Sequence, residues 1–537
     1  MSDEFVTRRG GTDDGAEGGE AGGPGISRRS VLKALVSIPV LGVFIAAYLD
    51  RRAVEQAKRR ALLDELGVTE TGPAVIENAI SRPPGSRIRL GIIGYGYQGE
   101  ALARFAGFAS PQWVEDARQR RRDDPRDKDL ETYLAQADLN VDITGVCDVF
   151  DVRAELAVAA STVADRPGGD RAVRPARRFR RYTDMLESGE VDAVIIATPD
   201  HWHARQSIDA ANMGIHVYCE KCMTRTEDET HAMYDAVKAS GIAFQLGHQN
   251  RMSESHQKAR EVAEAGILGP VTLIEATTNR NDPWGAWVWD IHEKGNPDTI
   301  DWEQFQAAAA NRVPFSLERF FRWRCWYDYG TGLSGDLLSH EYDVVNMIAG
   351  LGIPKSTSAS GGIYHFKDGR DVPDVFQAVM EYPERDLTLM YSATLANSNY
   401  RGLVFMGHDA TMRVAGGLSV MADGSSTRFR DKIDDGTIDL TRPMFTYRPG
   451  FRGIDAVTSA TAEYFASRGL LYTYRGGQRV SAYHLMLAEW LDVIRNGGQT
   501  SCDIEAGFEE AITSHMATRS YLEGRRVEWD PARRRIV

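Results

Sequence analysis

Cysteine is scarce in this chain of 537 residues: there are five, an odd number, widely scattered. That excludes a disulfide framework as the source of stability. A basic excess is missing as well. The 63 Lys and Arg stand against 76 Asp and Glu, for a net charge of −13. An acidic chain without a basic stripe is not expected to bind nucleic acid. The local run Arg177-Arg178-Phe179-Arg180-Arg181 sits in a loop-like stretch and reads as solvated surface. No apolar run reaches the roughly 20 residues of a membrane-spanning helix. Metal-ligand spacing is also lacking. His201-x-His203 has no further ligands at the distances a zinc site uses, so no metal is expected. What remains is an ordinary globular composition, long enough for more than one domain.

The N-terminus has a distinct character. Its first 25 residues are rich in Gly, Asp and Glu and read as disordered. Ser27-Arg28-Arg29-Ser30-Val31-Leu32-Lys33 then precedes an apolar run from Ala34 to Tyr48. This resembles a twin-arginine export signal, and the run suits the apolar region of a signal better than a membrane span. Ala46-Ala47-Tyr48 is a poor cleavage site and Arg51-Arg52 follows at once, which leaves open an uncleaved anchor. The competing reading is a short apolar helix packed on the body. The signal implies the twin-arginine export machinery as a partner, an extracytoplasmic or periplasmic location, and membrane contact through this segment alone. Residues 51–86 read as a charged, helical linker ending in the breaker cluster Ser81-Arg-Pro-Pro-Gly85.

The most telling segment follows. An apolar strand, Ile88–Ile93, runs into Gly94-Tyr95-Gly96-Tyr97-Gln98-Gly99 and then a helical stretch. In this order the first glycine permits a tight turn, the second lets backbone approach a pyrophosphate, and the third lets helix pack on strand. The phosphates then face free N–H groups at the helix N-terminus. A tight strand–helix turn without a ligand is the plainer alternative. The next strand, Val141–Cys147, ends at Asp148, where an acid is expected to hold the adenosine ribose. The gap from the glycines exceeds the usual spacing of about 20 residues. The extra length is a charged stretch at about 110–140, read as a surface insertion. An acid at this place repels a 2′-phosphate, so NAD is favoured over NADP.

Further strands are expected at Val191–Ala197, Ile215–Cys219 and Ile242–Gly247, with helices between them. Thr226-x-x-Glu229 is a capping box that opens one of those helices. The alternation implies a parallel, doubly wound sheet with ligands at its carboxyl ends. Gly94, Asp148, Thr198 and Glu220-Lys221 all fall there. From about Val271 the runs suit half-buried strands, which implies a second domain with a mainly antiparallel sheet. The expected organisation is a tail and signal at 1–50, the linker at 51–86, a dinucleotide-binding Rossmann domain at 87–222, and a C-terminal α+β domain at 223–537. The C-terminal tail reads as two amphipathic helices broken at Gly497-Gly498.

Taken together, the glycine turn, Ala197-Thr198-Pro199-Asp200-His201-Trp202-His203, His216-Val-Tyr-Cys-Glu220-Lys221, Gly335-Asp336-Leu-Leu-Ser-His340 and Val527-Glu-Trp-Asp530 resemble the glucose–fructose oxidoreductase / inositol dehydrogenase (Gfo/Idh/MocA) family. The resemblance covers about residues 87–537. It implies hydride exchange between a nicotinamide and a carbinol carbon of a sugar or cyclitol. It also implies an open sheet that forms subunit contacts, and with it a homodimer or homotetramer. The family's Glu-Lys-Pro stands here as Glu220-Lys221-Cys222. By position, Lys221 lies near the nicotinamide and the reacting hydroxyl, His340 is the general base or acid, and Asp336 orients it. Cofactor contacts carry over to Gly94, Gly96, Tyr97, Gln98, Gly99, Asp148, Thr198, Pro199, His203, Glu220 and Lys221. From spacing alone, which cannot show convergence on a site, the favoured reading of Asp336 and His340 is a capping Asp and a satisfied buried His.

Two motifs compete weakly. Cys219-x-x-Cys222 has redox spacing but overlays the Glu-Lys site. Trp284, Trp287, Trp289, Trp302 and Arg322-Trp323-Arg324-Cys-Trp326-Tyr327-Asp-Tyr329 suit either a sugar-stacking pocket or core packing. Export bears on the chemistry. A freely exchanging NAD is lost outside the cytoplasm, so a tightly held nicotinamide is expected. Such a cofactor serves an oxidoreductase, a glycoside hydrolase or lyase that works by transient oxidation, or a non-catalytic binding protein.

Overall fold

The computed structural model describes residues 39–70, 72–73, 85–169, 174–449, 472–475 and 478–537. The Arg28-Arg29 pair, the Gly-rich segment before it and the breakers at 81–84 lie outside the described residues. Helix α1 (Pro39–Leu66) takes in part of the apolar run and of the charged linker. Among the described residues no helix is long and apolar enough to cross a membrane. The last turns of α1 are docked, with Leu62, Leu63, Leu66 and Val68 buried in the core of the second domain.

Strands β1 (Ile88–Ile93), β2 (Val141–Cys147), β3 (Arg177–Phe179), β4 (Ala193–Ile196), β5 (His216–Cys219) and β6 (Phe244–Leu246) form one parallel sheet in the order 3-2-1-4-5-6. After β3 the chain crosses back to lie beside β1, and the crevice of such a sheet opens where the order reverses. Every residue of β4 is buried, as a strand covered on both faces must be. Leu90 and Ile92 of β1 pack with Leu102 and Ala103 of helix α2 (Tyr97–Phe105) on one face. Ile93 and β4's Val194 and Ile196 pack with Met185, Ala210 and Met233 on the other.

The sheet runs past the expected boundary at 222, because β6 adds an edge strand. The far C-terminal helix Ala482–Asn496 also returns to it, placing Leu485, Met486 and Trp490 in the first domain's core. Trp490 Nε1 donates to the Ala243 carbonyl at 3.2 Å. The stretch at 110–140 forms two short helices, Pro111–Asp123 and Asp129–Leu134, which pack Val114 and Tyr133 against Ala109 and Val163.

The second domain is built on a ten-stranded sheet between Val271 and Ile536. Its strands Val271–Asn279 and Leu387–Thr394 are parallel neighbours, and the other pairs are antiparallel. Leu387, Leu389, Tyr391 and Ala393 are buried while Met390 between them is exposed, so one face packs and the other is open.

Candidate active site

A cavity partly open to solvent lies at the carboxyl ends of the parallel strands. The β1–α2 turn lines it with Gly94, Gly96, Tyr97 and Gln98; β2 brings Asp148, β4 brings Thr198 and Pro199, and β5 brings Glu220 and Lys221. Each glycine of the turn has a different physical need. Gly94 has φ +85°, and a Cβ there would sit 2.8 Å from both the Ala197 carbonyl oxygen and the Thr198 nitrogen. A Cβ on Gly99 would collide with the Gly94 carbonyl. A Cβ on Gly96 would meet nothing within 4 Å. The Gly96 position is therefore open room that a side chain would fill, above a helix whose N-cap carries no side-chain cap. That cradle fits the pyrophosphate of a dinucleotide.

Asp148 is fixed at the edge of this turn. Tyr95 N–H donates to its Oδ2 at 2.6 Å and Phe150 N–H to its Oδ1 at 2.8 Å. Burial raises its pKa against the pull of those two N–H groups. Each oxygen keeps accepting capacity for a ribose hydroxyl.

At the other end of the cavity stands a buried ion pair. Lys221 Nζ donates to Asp336 Oδ1 at 2.5 Å and to the Asp336 carbonyl at 3.1 Å. Arg324 Nε donates to the same Oδ1 at 2.9 Å, and Trp287 Nε1 donates to Oδ2 at 3.0 Å. Burial opposes both charges of the pair. Lys221 and Arg324 nevertheless hold Asp336 well below the carboxylate range, and Asp336 raises Lys221. The pair is ionised at neutral pH. The Lys221–Cys222 peptide is cis.

The structure corrects one expectation here. Asp336 does not orient His340: its carboxylate bonds to Lys221, Arg324 and Trp287 and makes no hydrogen bond to the His340 ring. Asp336 lies in a π-helical turn, Ser334–Leu338, that runs into the helix Ser339–Ala349. The wider turn breaks the angular relation that four residues have on an α-helix. His340 is set back from the cavity wall. Its ring meets His248 edge to face, with centroids 5.5 Å apart, and its buried Nδ1 has no hydrogen-bond partner among the described residues. Burial, with Lys221 and His248 nearby, pushes its pKa well below the usual value, so the imidazole is neutral.

His203 is also placed behind the wall rather than in the cavity. Its Nδ1 lies 2.6 Å from the Cys222 carbonyl oxygen and its Nε2 lies 2.7 Å from that of Thr198. A carbonyl only accepts, so both nitrogens must donate and the ring is an imidazolium. Burial opposes the charge, but Cys219, Asp200 and the Cys222 carbonyl outweigh it and raise the pKa to about 9. A raised folded-state pKa gives stability that is present below about pH 6.5 and lost as pH rises through the folded value. His203→Gln should therefore be less stable than wild type near pH 6, with the gap closing toward pH 10 on the scale of about 9. Thermal midpoints of the two proteins across that range test it. A gap independent of pH would rule out the imidazolium.

His201 differs from it. Its Nε2 lies 2.7 Å from the Phe305 carbonyl oxygen, and burial lowers its pKa to about 4. Cys219 and Cys222 are buried free thiols. Among the described residues no cluster of three or more His, Cys, Asp or Glu is placed to hold a metal ion.

Comparison with known proteins agrees with this geometry over most of the chain. Residues 88–248 match the oxidoreductase family GFO_IDH_MocA, NAD-binding Rossmann fold, and residues 305–529 match that family's C-terminal alpha/beta domain. The chain belongs to the Gfo/Idh/MocA oxidoreductase family. Levoglucosan dehydrogenase of Pseudarthrobacter phenanthrenivorans is 28% identical over 207 residues, covering 36% of this chain and 45% of that protein. The 2,7-anhydro-N-acetylneuraminate hydratase of Escherichia coli is 33% identical over 232 residues, covering 43% of this chain and 53% of that protein. The chain thus spans about half the length of these relatives. Among solved structures, levoglucosan dehydrogenase in complex with NADH superposes with a TM-score of 0.54 at 17% identity, over 82% of this chain and 99% of that one. The WlbA dehydrogenase of Bordetella pertussis, in complex with NADH and UDP-GlcNAcA, gives 0.52 at 16%, over 84% and 99%. These two share the fold.

As a Gfo/Idh/MocA oxidoreductase the chain binds NAD, and the turn, Asp148 and Lys221 occupy one cavity. Several lining residues carried no sequence signal. Phe150, Arg153, Gln206, Phe320 and Phe321 line the wall as well, and Arg153 lies over the Tyr97 ring at 4.8 Å. The tryptophans divide. Trp289 and Trp323 face the cavity. Trp287 is buried and supports Asp336, and Trp302 stacks on Phe305 in the core.

Proposed function

We propose that this protein is an exported oxidoreductase that holds NAD as a resident group and oxidises or reduces a carbinol carbon of a sugar or sugar derivative. The observation that carries the reading is the ionised Lys221–Asp336 pair at the wall of the cavity that begins at the glycine turn. Bound NAD supplies the hydride acceptor or donor. Lys221 has one ammonium N–H beyond the two that Asp336 takes, and it faces the cavity, where it stabilises a developing alkoxide. Asp336 fixes the ammonium in place. His340 stays neutral and does not line the cavity, so the hydroxyl proton reaches it only through a relay. The sugar class draws on what the relatives are named for acting on.

Residence of the cofactor draws support from a strap. Asp151 N–H donates to the Thr299 carbonyl at 2.9 Å and Asp301 N–H to the Val149 carbonyl at 2.8 Å, around a bridge between Phe150 and Ile300. Gln304 Nε2 donates to the Arg180 carbonyl at 3.0 Å. The second domain is thereby stapled across the adenosine end of the groove. The Arg28-Arg29 signal supports export of a protein already loaded and folded, and the open sheet face offers itself to a second copy.

Denaturing the purified protein should release close to one dinucleotide per chain, read by chromatography of the supernatant. An empty supernatant would sink residence. A second reading, redox-neutral chemistry by transient oxidation, is favoured by the relative named as a hydratase. Adding a sugar library separates the two. Lasting reduction of the bound cofactor supports oxidoreduction, and product formation with the cofactor returned to its starting state supports the second reading.

A further inference from the structure

The cavity presents a guanidinium whose donors are largely unspent. Arg324 lines the cavity with its side chain 11% exposed. Its Nε is committed to Asp336 Oδ1, the same oxygen that holds Lys221. Its remaining nitrogens make no hydrogen bond to any described residue. The plane is held in position by two rings, with Cζ 4.2 Å from the Trp323 centroid and 5.0 Å from that of Trp289. Two cations thus share one carboxylate. Glu220 takes a hydrogen bond from Gln98 and Asp200 takes one from Thr331, and neither accepts one from Arg324.

A mostly buried, preoriented cation with free donors is costly to leave unmatched. A guanidinium fork fits a carboxylate in two parallel hydrogen bonds, and flanking tryptophans suit the face of a sugar ring. We propose that Arg324 binds a carboxylate of the substrate, which is therefore an acidic sugar such as a uronic or aldonic acid. This rests on the hydride-transfer reading above, since Lys221 then meets the reacting hydroxyl of the same molecule. Sharing one Asp336 oxygen keeps the two binding points within one sugar's reach of each other.

The test compares a uronic acid with the neutral hexose of the same stereochemistry, on the protein with its bound cofactor. Wild type should favour the acid in kcat/KM by about 100-fold, the scale of a charged hydrogen-bond pair. Arg324→Gln should bring that ratio close to one, and Arg324→Lys should keep part of it. A wild-type ratio near one overturns the proposal, as does an Arg324→Gln variant that slows both sugars by the same factor. A fall in released dinucleotide in Arg324→Gln also overturns it, by assigning the arginine to a cofactor phosphate. Calorimetric binding of the same two sugars separates this failure from that of the catalytic reading. Tighter binding of the acid without cofactor reduction sinks hydride transfer alone, and equal binding sinks the carboxylate site.

Discussion

Lys221→Met should lower the rate of cofactor reduction by about a thousandfold or more, the scale of losing a preorganised charge at a developing oxyanion. The variant should still fold and still carry its dinucleotide. Lys221 is buried, but removing it leaves Asp336 with Arg324 and Trp287 as donors. The stability loss should therefore fall below the about 3–5 kcal/mol that follows when a buried charge loses its only partner. Single-turnover reduction of bound cofactor, with dinucleotide content measured on the same sample, checks both parts. Turnover within a few-fold of wild type would remove Lys221 from the chemistry. The pH behaviour of the pair follows from its shifts. Asp336 is depressed, so its contribution is present above about pH 4 and lost only as pH falls through the lower folded value. Lys221 is raised, so its contribution is present below about pH 10 and lost as pH rises through the higher folded value. The site should therefore keep its charges across the whole physiological range.

Gly96→Val and Gly99→Ala should fail in opposite ways, though they are three residues apart. At Gly96 the new side chain enters open space and meets no protein atom within 4 Å at Cβ. The variant should fold like wild type and lose its cofactor, with dinucleotide content falling by about tenfold or more because the pyrophosphate's place is filled. At Gly99 the Cβ would collide with the Gly94 carbonyl. The strand–helix packing must open, at a cost of about 1–3 kcal/mol, the range for overpacking a tight site. Thermal unfolding and dinucleotide content, measured on both variants, decide the matter. Full cofactor content in Gly96→Val would show that the phosphates do not pass over this turn.

Much of the first domain was legible because its signals are local. A buried parallel strand announces itself by an unbroken apolar run, and the glycines of a tight turn stand next to each other in sequence. So the expected strands around Ile88, Val141, Val191, Ile215 and Ile242 correspond to β1, β2, β4, β5 and β6. The helix opened by Thr226 carries the expected capping box, with Thr226 Oγ1 and the Glu229 side chain both engaged. The return of Ala482–Asn496 to the first domain was not legible, because nothing near it says that Trp490 will pack against Tyr218 of β5. The Asp336–His340 spacing misled for a related reason. Four residues imply one helical face only if the helix is α, and the turn at Ser334–Leu338 is not.

By itself, the sequence determined the parallel sheet, the glycine turn, the acid at the end of β2 and the Glu-Lys pair at the end of β5. Each of these depends on neighbours a few residues away, so period and turn chemistry suffice. Only the tertiary structure decided the charge state and the aim of the groups in the site. Lys221 is ionised because Asp336, 115 residues on, lies against it. His203 is a cation because two carbonyls close on its ring, and Arg324 faces the cavity because Trp289 and Trp323 hold it there. The protonation and orientation of a buried group depend on what folding brings within a few ångströms of it, and that distance is not carried by the order of residues.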